Sequence, residues 1–158
     1  MLARCLSVCG GFLLAVLWFD LMFDVQVLQF PDTAVPLPDA VLSSIAGYYR
    51  RATTEAYPMN RAVGAVMVTA IVGSIWQAVR ARRRGLAIVA AVLVAAAVTL
   101  AAARVFPNAV RLGSRADAVE HQSTLARAIC TDHLWCLAAI LLFTGLQLSG
   151  ALTSRQDR

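Results

Sequence analysis

The segment from Leu6 to Phe30, LSVCGGFLLAVLWFDLMFDVQVLQF, limits what the rest of the chain can become. Charged or amide side chains occur in it only at Asp20, Asp24, Gln26 and Gln29, and it exceeds the ~20 helical residues that cross a hydrocarbon layer. The segment therefore reads as a membrane helix. A carboxylate at the centre of such a helix costs about 2.5–3.5 kcal/mol even on insertion scales, so residues of this kind face a protein interior rather than lipid. Asp20 and Asp24 are four apart and share one helical face. Arg4 with the apolar run behind it suggests a secretory leader. The run is longer than the ~7–15 residues of a leader's apolar region and its small residues, Gly10 and Gly11, come early, so a retained helix is expected.

Three more apolar runs follow, about 62–79, 86–103 and 125–148. With 59% hydrophobic and 15% charged residues among 158, the chain is too apolar for a small soluble domain and reads as one all-α unit, a four-helix transmembrane bundle. All fourteen basic residues are arginines, and the net charge is +5. No soluble basic domain is present to carry a nucleic-acid surface, so these charges are assigned to lipid headgroups and to topology. Arg80, Arg82, Arg83 and Arg84 crowd the hairpin between spans two and three, which places it in the cytoplasm and, with four crossings, both termini there too, in the cell membrane. Cys5, Cys9, Cys130 and Cys136 form no Cys-x-x-Cys pair and read as small packing residues.

Between spans one and two, Pro31, Pro36 and Pro38 make a stiff connector. Val41, Ile45, Tyr48, Tyr49 and Ala52 then recur at helical spacing, and Pro58 closes the pattern. An additional extracytoplasmic amphipathic helix across the bundle mouth is expected here, its tyrosines at the interface. After Ala103 the chain is expected to leave the third span, with Arg104, Pro107, Asn108 and Arg111 in an outer connection. Ser114 and Asp117 resemble a capping signal that would start the last helix near Arg115.

This topology carries costly side chains from separate segments to one depth, the outer half. The catalytic candidates are Asp24, His133, Asp20 and Asp132, and the contact candidates are Asn60, Arg61, Arg127 and His121. Asp24 and His133 are expected to pair, since proximity answers the cost of both. His121 and Asp132 project to one side of their helix but lie ~16 Å apart along it, too far for one small metal site. Three chemistries stay open. Carboxylates and histidine suit a divalent metal, although the Glu-x-x-His pattern of di-iron bundles is missing. A histidine held by a carboxylate suits a general base acting on an apolar substrate. Arg61 or Arg127 neutralising the aspartates would make a purely structural network. No nucleotide loop, haem attachment motif, zincin signature or serine triad is present.

The runs YYRRATTEAYPMNR, AVTLAAARVFPNAVR and RAICTDHLW resemble the layout of the anthrone-oxygenase-like family of small four-helix membrane proteins. The matching positions are Pro58, Asn60, Pro107, Asn108, Arg127 and His133. The resemblance implies oxygenation of polyketide anthrones in some members and transfers no substrate to this chain. Three readings follow: an oxidoreductase acting on a small apolar molecule in an outer-half pocket, a non-catalytic accessory subunit of a larger membrane complex, and a proton-coupled carrier. The implied partners are membrane lipid and an apolar small molecule or another membrane protein, with no nucleic acid.

Overall fold

Long runs of Ala, Leu and Val with their prolines confined to helix starts favour helices, and the computed structural model, which describes residues 1–81 and 84–156 with the side chains of 150–156 excepted, contains no strand among those residues. Six α-helices follow in order: α1 Leu2–Asp24, α2 Asp39–Arg50, α3 Tyr57–Arg80, α4 Arg84–Leu100, α5 Phe106–Ser114 and α6 Val119–Gln156. A 3₁₀ turn, Val25–Gln29, extends α1, and π turns at Arg51–Glu55 and Ala101–Val105 follow α2 and α4. Four stretches are long and apolar enough to cross a membrane: Leu2–Gln29, Tyr57–Arg80, Arg84–Ser114 and Val119–Ser149.

Two expected boundaries are corrected. The third segment does not end near Ala103 but continues through Arg104 and Pro107 to Ser114. A proline lacks an N–H and clashes with the carbonyl four residues back. The π turn before it widens the ladder, the Phe106 N–H bonding to Ala101 O, and Pro107 then falls in the first turn of α5, where its missing donor is tolerated. The last helix begins at Val119, not near Arg115: Ser114 Oγ donates to Arg111 O, and Arg115 takes the left-handed conformation at φ 55°, so these residues end α5 instead of opening α6. Pro58 likewise lies in the first turn of α3.

The four long segments close a ring in which α1 packs on α3 and α6, and α4 packs on the same two. α1 and α6 come close together at Gly10, where an added Cβ would collide with Thr144 Oγ1. Small residues at such crossings let backbones approach, the main source of helix association where lipid removes the hydrophobic drive. One end of the ring is filled by Leu6, Leu13, Ala70, Val94, Ile140 and Phe143. At the other end α2 lies across the bundle, burying Leu42, Ile45, Ala46 and Tyr49 with Ala109 and Leu112 of α5 and Ile129 of α6. Gly113 permits this docking, since its would-be Cβ lies 3.0 Å from the backbone nitrogen of Arg50.

Candidate functional site

The aspartates of α1, the tyrosines of α2 and the histidine of α6 meet beneath this roof. Asp24 is fully buried, 0% exposed, and among the described residues carries no arginine partner. Its Oδ1 accepts a hydrogen bond from the Tyr49 hydroxyl at 2.6 Å, and its Oδ2 lies 2.6 Å from His133 Nδ1. An ionised carboxylate can only accept, so Nδ1 bears the proton, and in the neutral ring the Nε2 lone pair is the free basic position. Nε2 is 3.6 Å from Asp20 Oδ2, beyond hydrogen-bond distance, while Asp20 Oδ1 accepts from the Tyr48 hydroxyl at 2.6 Å. Among the described residues neither Asp20 Oδ2 nor His133 Nε2 has a donor within hydrogen-bond distance, and the two stand side by side. The His133 side chain is 5% exposed.

Both groups border a cavity of about 530 Å³. Its walls are mostly apolar, among them Leu13, Leu17, Val63, Met67, Ala97 and Ile140, and both π turns contribute, through Arg51, Ala52 and Thr53 on one side and Ala101 and Val105 on the other. That volume falls within the ~300–1,000 Å³ of small-molecule pockets, which combine apolar walls with a few convergent polar groups. Phe19, Met59 and Phe106 line the cavity while remaining exposed on the bundle surface.

Of the eight residues singled out by sequence, Asp20, Asp24 and His133 converge and Asn60 reaches the same cavity from α3, donating to Thr53 O at 3.3 Å. The other four are elsewhere. Asp132 turns away and pairs with Arg104 at 3.1 Å, because consecutive residues of a helix diverge by ~100° and His133 already faces α1. Arg127 does not neutralise the aspartates; it donates to the carbonyl oxygens of Phe30, Asp32 and Val35, pinning the proline connector. Arg61 lies over the Tyr57 ring, 4.2 Å from its centroid, and His121 is exposed in the first turn of α6. Among the described residues no group of three or more His, Cys, Asp or Glu side chains is arranged to hold a metal ion. Asp20 and Asp24 approach opposite nitrogens of one imidazole, so the three do not converge on a single point.

Tyr48 and Tyr49 were missed by sequence reasoning as site residues, having been read as interfacial aromatics. The available signal was their position one connector away from a segment that supplies two costly carboxylates in need of donors. Tyr48 also stacks on Phe23 at 4.2 Å, and Tyr49 is buried. Burial first, then the adjoining carboxylates, push both phenols well above their ordinary value, so they remain protonated donors. The unfolded chain loses these protons above about pH 10 while the folded chain keeps them. Unfolding then releases protons, and stability falls as pH rises past that value. A variant with both Tyr48→Phe and Tyr49→Phe is expected to show a shallower alkaline decline in thermal midpoint than the parent chain, whatever its stability near neutrality. Equal slopes for the two proteins would contradict the assignment.

Compared with protein-family models, with curated proteins and with solved structures, the chain matches none.

Proposed function

We propose that this is an integral membrane protein, crossing the bilayer four times with both termini in the cytoplasm, whose outer-half cavity takes up a small apolar molecule and removes a proton from it. Membrane insertion is supported by the four long apolar helices, and orientation by the arginines at 80, 82, 83 and 84 between the second and third. In this orientation α2 is an extracytoplasmic amphipathic helix covering the outer mouth, and Phe19, Met59 and Phe106 face the outer leaflet, from which an apolar molecule enters sideways.

The observation that carries the reading is the pair of unpartnered acceptors, His133 Nε2 and Asp20 Oδ2, at the polar end of an apolar cavity. Two acceptors call for a ligand that brings a donor. Asp24 holds Nδ1 and so orients the ring, leaving Nε2 as the general base. For an activated C–H acid, the proton passes to Nε2 and the bonding electron pair stays on the carbon; that carbanion adds to dioxygen, forming a C–O bond, and the resulting peroxide takes the proton back from Nε2 as a hydroperoxide, the carbon oxidised and dioxygen reduced by two electrons. That is the step through which the resemblance to anthrone-oxygenase-like proteins becomes an oxidoreductase reading.

Dithranol, a hydroxylated anthrone, tests this in phosphatidylcholine nanodiscs. Saturable binding and oxygen uptake above empty discs are expected for the parent chain, with uptake reduced about 10²-fold or more in His133→Ala. Binding with uptake indifferent to His133 would overturn the base assignment. No saturable binding above empty discs would overturn the cavity as a site for such molecules.

A further inference from the structure

The charges around the cavity do not balance. Asp20 and Asp24 face a single imidazole, and no arginine pairs with either carboxylate among the described residues. Arg104 is committed to Asp132 and Arg127 to backbone carbonyls. Arg51, at the rim, donates to Gly47 O of its own helix turn. The groups facing Asp20 are Asp24 on α1, Tyr48 and Tyr49 on α2 and His133 on α6, with the Cys136 thiol lower in the same wall. α3, α4 and α5 present no charged side chain to the cavity. Even with His133 as an imidazolium, one carboxylate charge has no cation to answer it. An unanswered charge in a low-dielectric interior is costly, so Asp20 must either bind a proton or meet a cation brought from outside.

We propose that the cavity's preferred ligand class is an apolar amine in its cationic form, bound at Asp20 in exchange for a proton. The exchange balances: the protonated Asp20 carboxyl gives up one proton to the outer aqueous phase, and the resulting carboxylate pairs with the arriving ammonium, with no covalent bond to the ligand formed or broken. Two features beyond charge fit this class. Asp20 Oδ2 has no donor within hydrogen-bond distance among the described residues, a place that an ammonium N–H can fill and a carbonyl cannot. Tyr48, Tyr49 and Phe19 bring aromatic rings to the cavity wall, and such rings attract cations when water is excluded. This inference rests on the cavity being a ligand site, and it selects among ligands by charge.

The test compares 1-adamantylamine with 1-adamantanol, two compact apolar bodies that differ in one group, by titration calorimetry on the full chain in phosphatidylcholine nanodiscs, with empty discs subtracted. The amine is expected to bind at least about tenfold tighter than the alcohol at pH 8, its affinity falling by up to about tenfold per unit on going to pH 5, as displacement of one proton requires, while the alcohol's stays level. Titrations in two buffers of different ionisation heat should show close to one proton released per amine bound. Asp20→Asn is expected to lose the preference and the proton release and Asp20→Glu to keep both, each variant remaining monodisperse with the parent's helical spectrum. Equal affinity for the two compounds, or a preference unchanged in Asp20→Asn, would overturn the charge inference and leave the cavity reading standing. Binding of neither compound to the parent chain would overturn both.

Discussion

Asp24→Leu is expected to cost the folded protein about 3–5 kcal/mol, the range found when one partner of a buried charge pair is removed. Two donors lose their acceptor at once, the Tyr49 hydroxyl and the His133 Nδ1–H, in a place where water cannot replace it. Asp20→Leu should cost much less. Asp20 is partly open to the cavity, and it holds one short hydrogen bond, from Tyr48, with its second oxygen beyond bonding distance of the imidazole. The measurement is unfolding in mixed detergent micelles, followed by helical signal. Membrane insertion itself should be unimpaired by Asp24→Leu, because replacing a carboxylate by leucine lowers the insertion cost. Similar losses for the two variants would mean that Asp24 is not the group on which the cluster depends.

The second large effect is expected at Gly10. A Cβ there would meet Thr144 Oγ1 well inside contact distance and Thr144 Cβ at 3.2 Å, with Phe143 close behind, and both neighbours belong to a helix that cannot easily retreat. Gly10→Ala should destabilise the bundle by about 1–3 kcal/mol, the usual cost of overpacking a filled interior. Thr144→Ala removes the colliding oxygen at little cost of its own, since among the described residues that hydroxyl serves only the Ile140 carbonyl one turn back. The double variant should therefore recover part of the loss, giving a coupling energy of about 0.5 kcal/mol or more in a double-mutant cycle. Strict additivity would show that α1 and α6 are free to separate at this level.

The long helices and the approach of Asp24 to His133 were legible from residue chemistry alone. Apolar run length defines the former, and the latter follows because antiparallel segments carry expensive side chains to the same depth. What could not be read was the direction of each side chain around its own helix relative to neighbours not yet placed. Asp132 and His133 are adjacent, yet one faces Arg104 beyond α4 and the other faces α1, and only the packing of three helices decides which. Arg127 shows the same difficulty in another form. Its partners are backbone carbonyls of the proline connector, and an acceptor that every residue possesses leaves no mark in the sequence. Tyr48 and Tyr49 were hidden by ambiguity, since a tyrosine near a membrane surface and one donating to a buried carboxylate call for the same residue type. Pro107 misled because proline marks a helix end in a regular ladder, and the ladder before it is not regular.

That irregular ladder has a consequence for how such a chain can change over generations. The turn at Ala101–Val105 holds one residue more than a regular helical turn, and its wide loop absorbs that residue, so the helix beyond keeps its direction toward α2. Deleting any one of the five would close the turn to a regular ladder, and the ring of Pro107 would then meet the carbonyl four residues back with no widening to clear it. A single lost codon in this stretch would thus bend the helix that carries Ala109 and Leu112, on which α2 rests, without altering any residue of the cluster beneath it, whereas substitutions within the stretch leave the wide turn its five residues. Length here is held more strictly than identity.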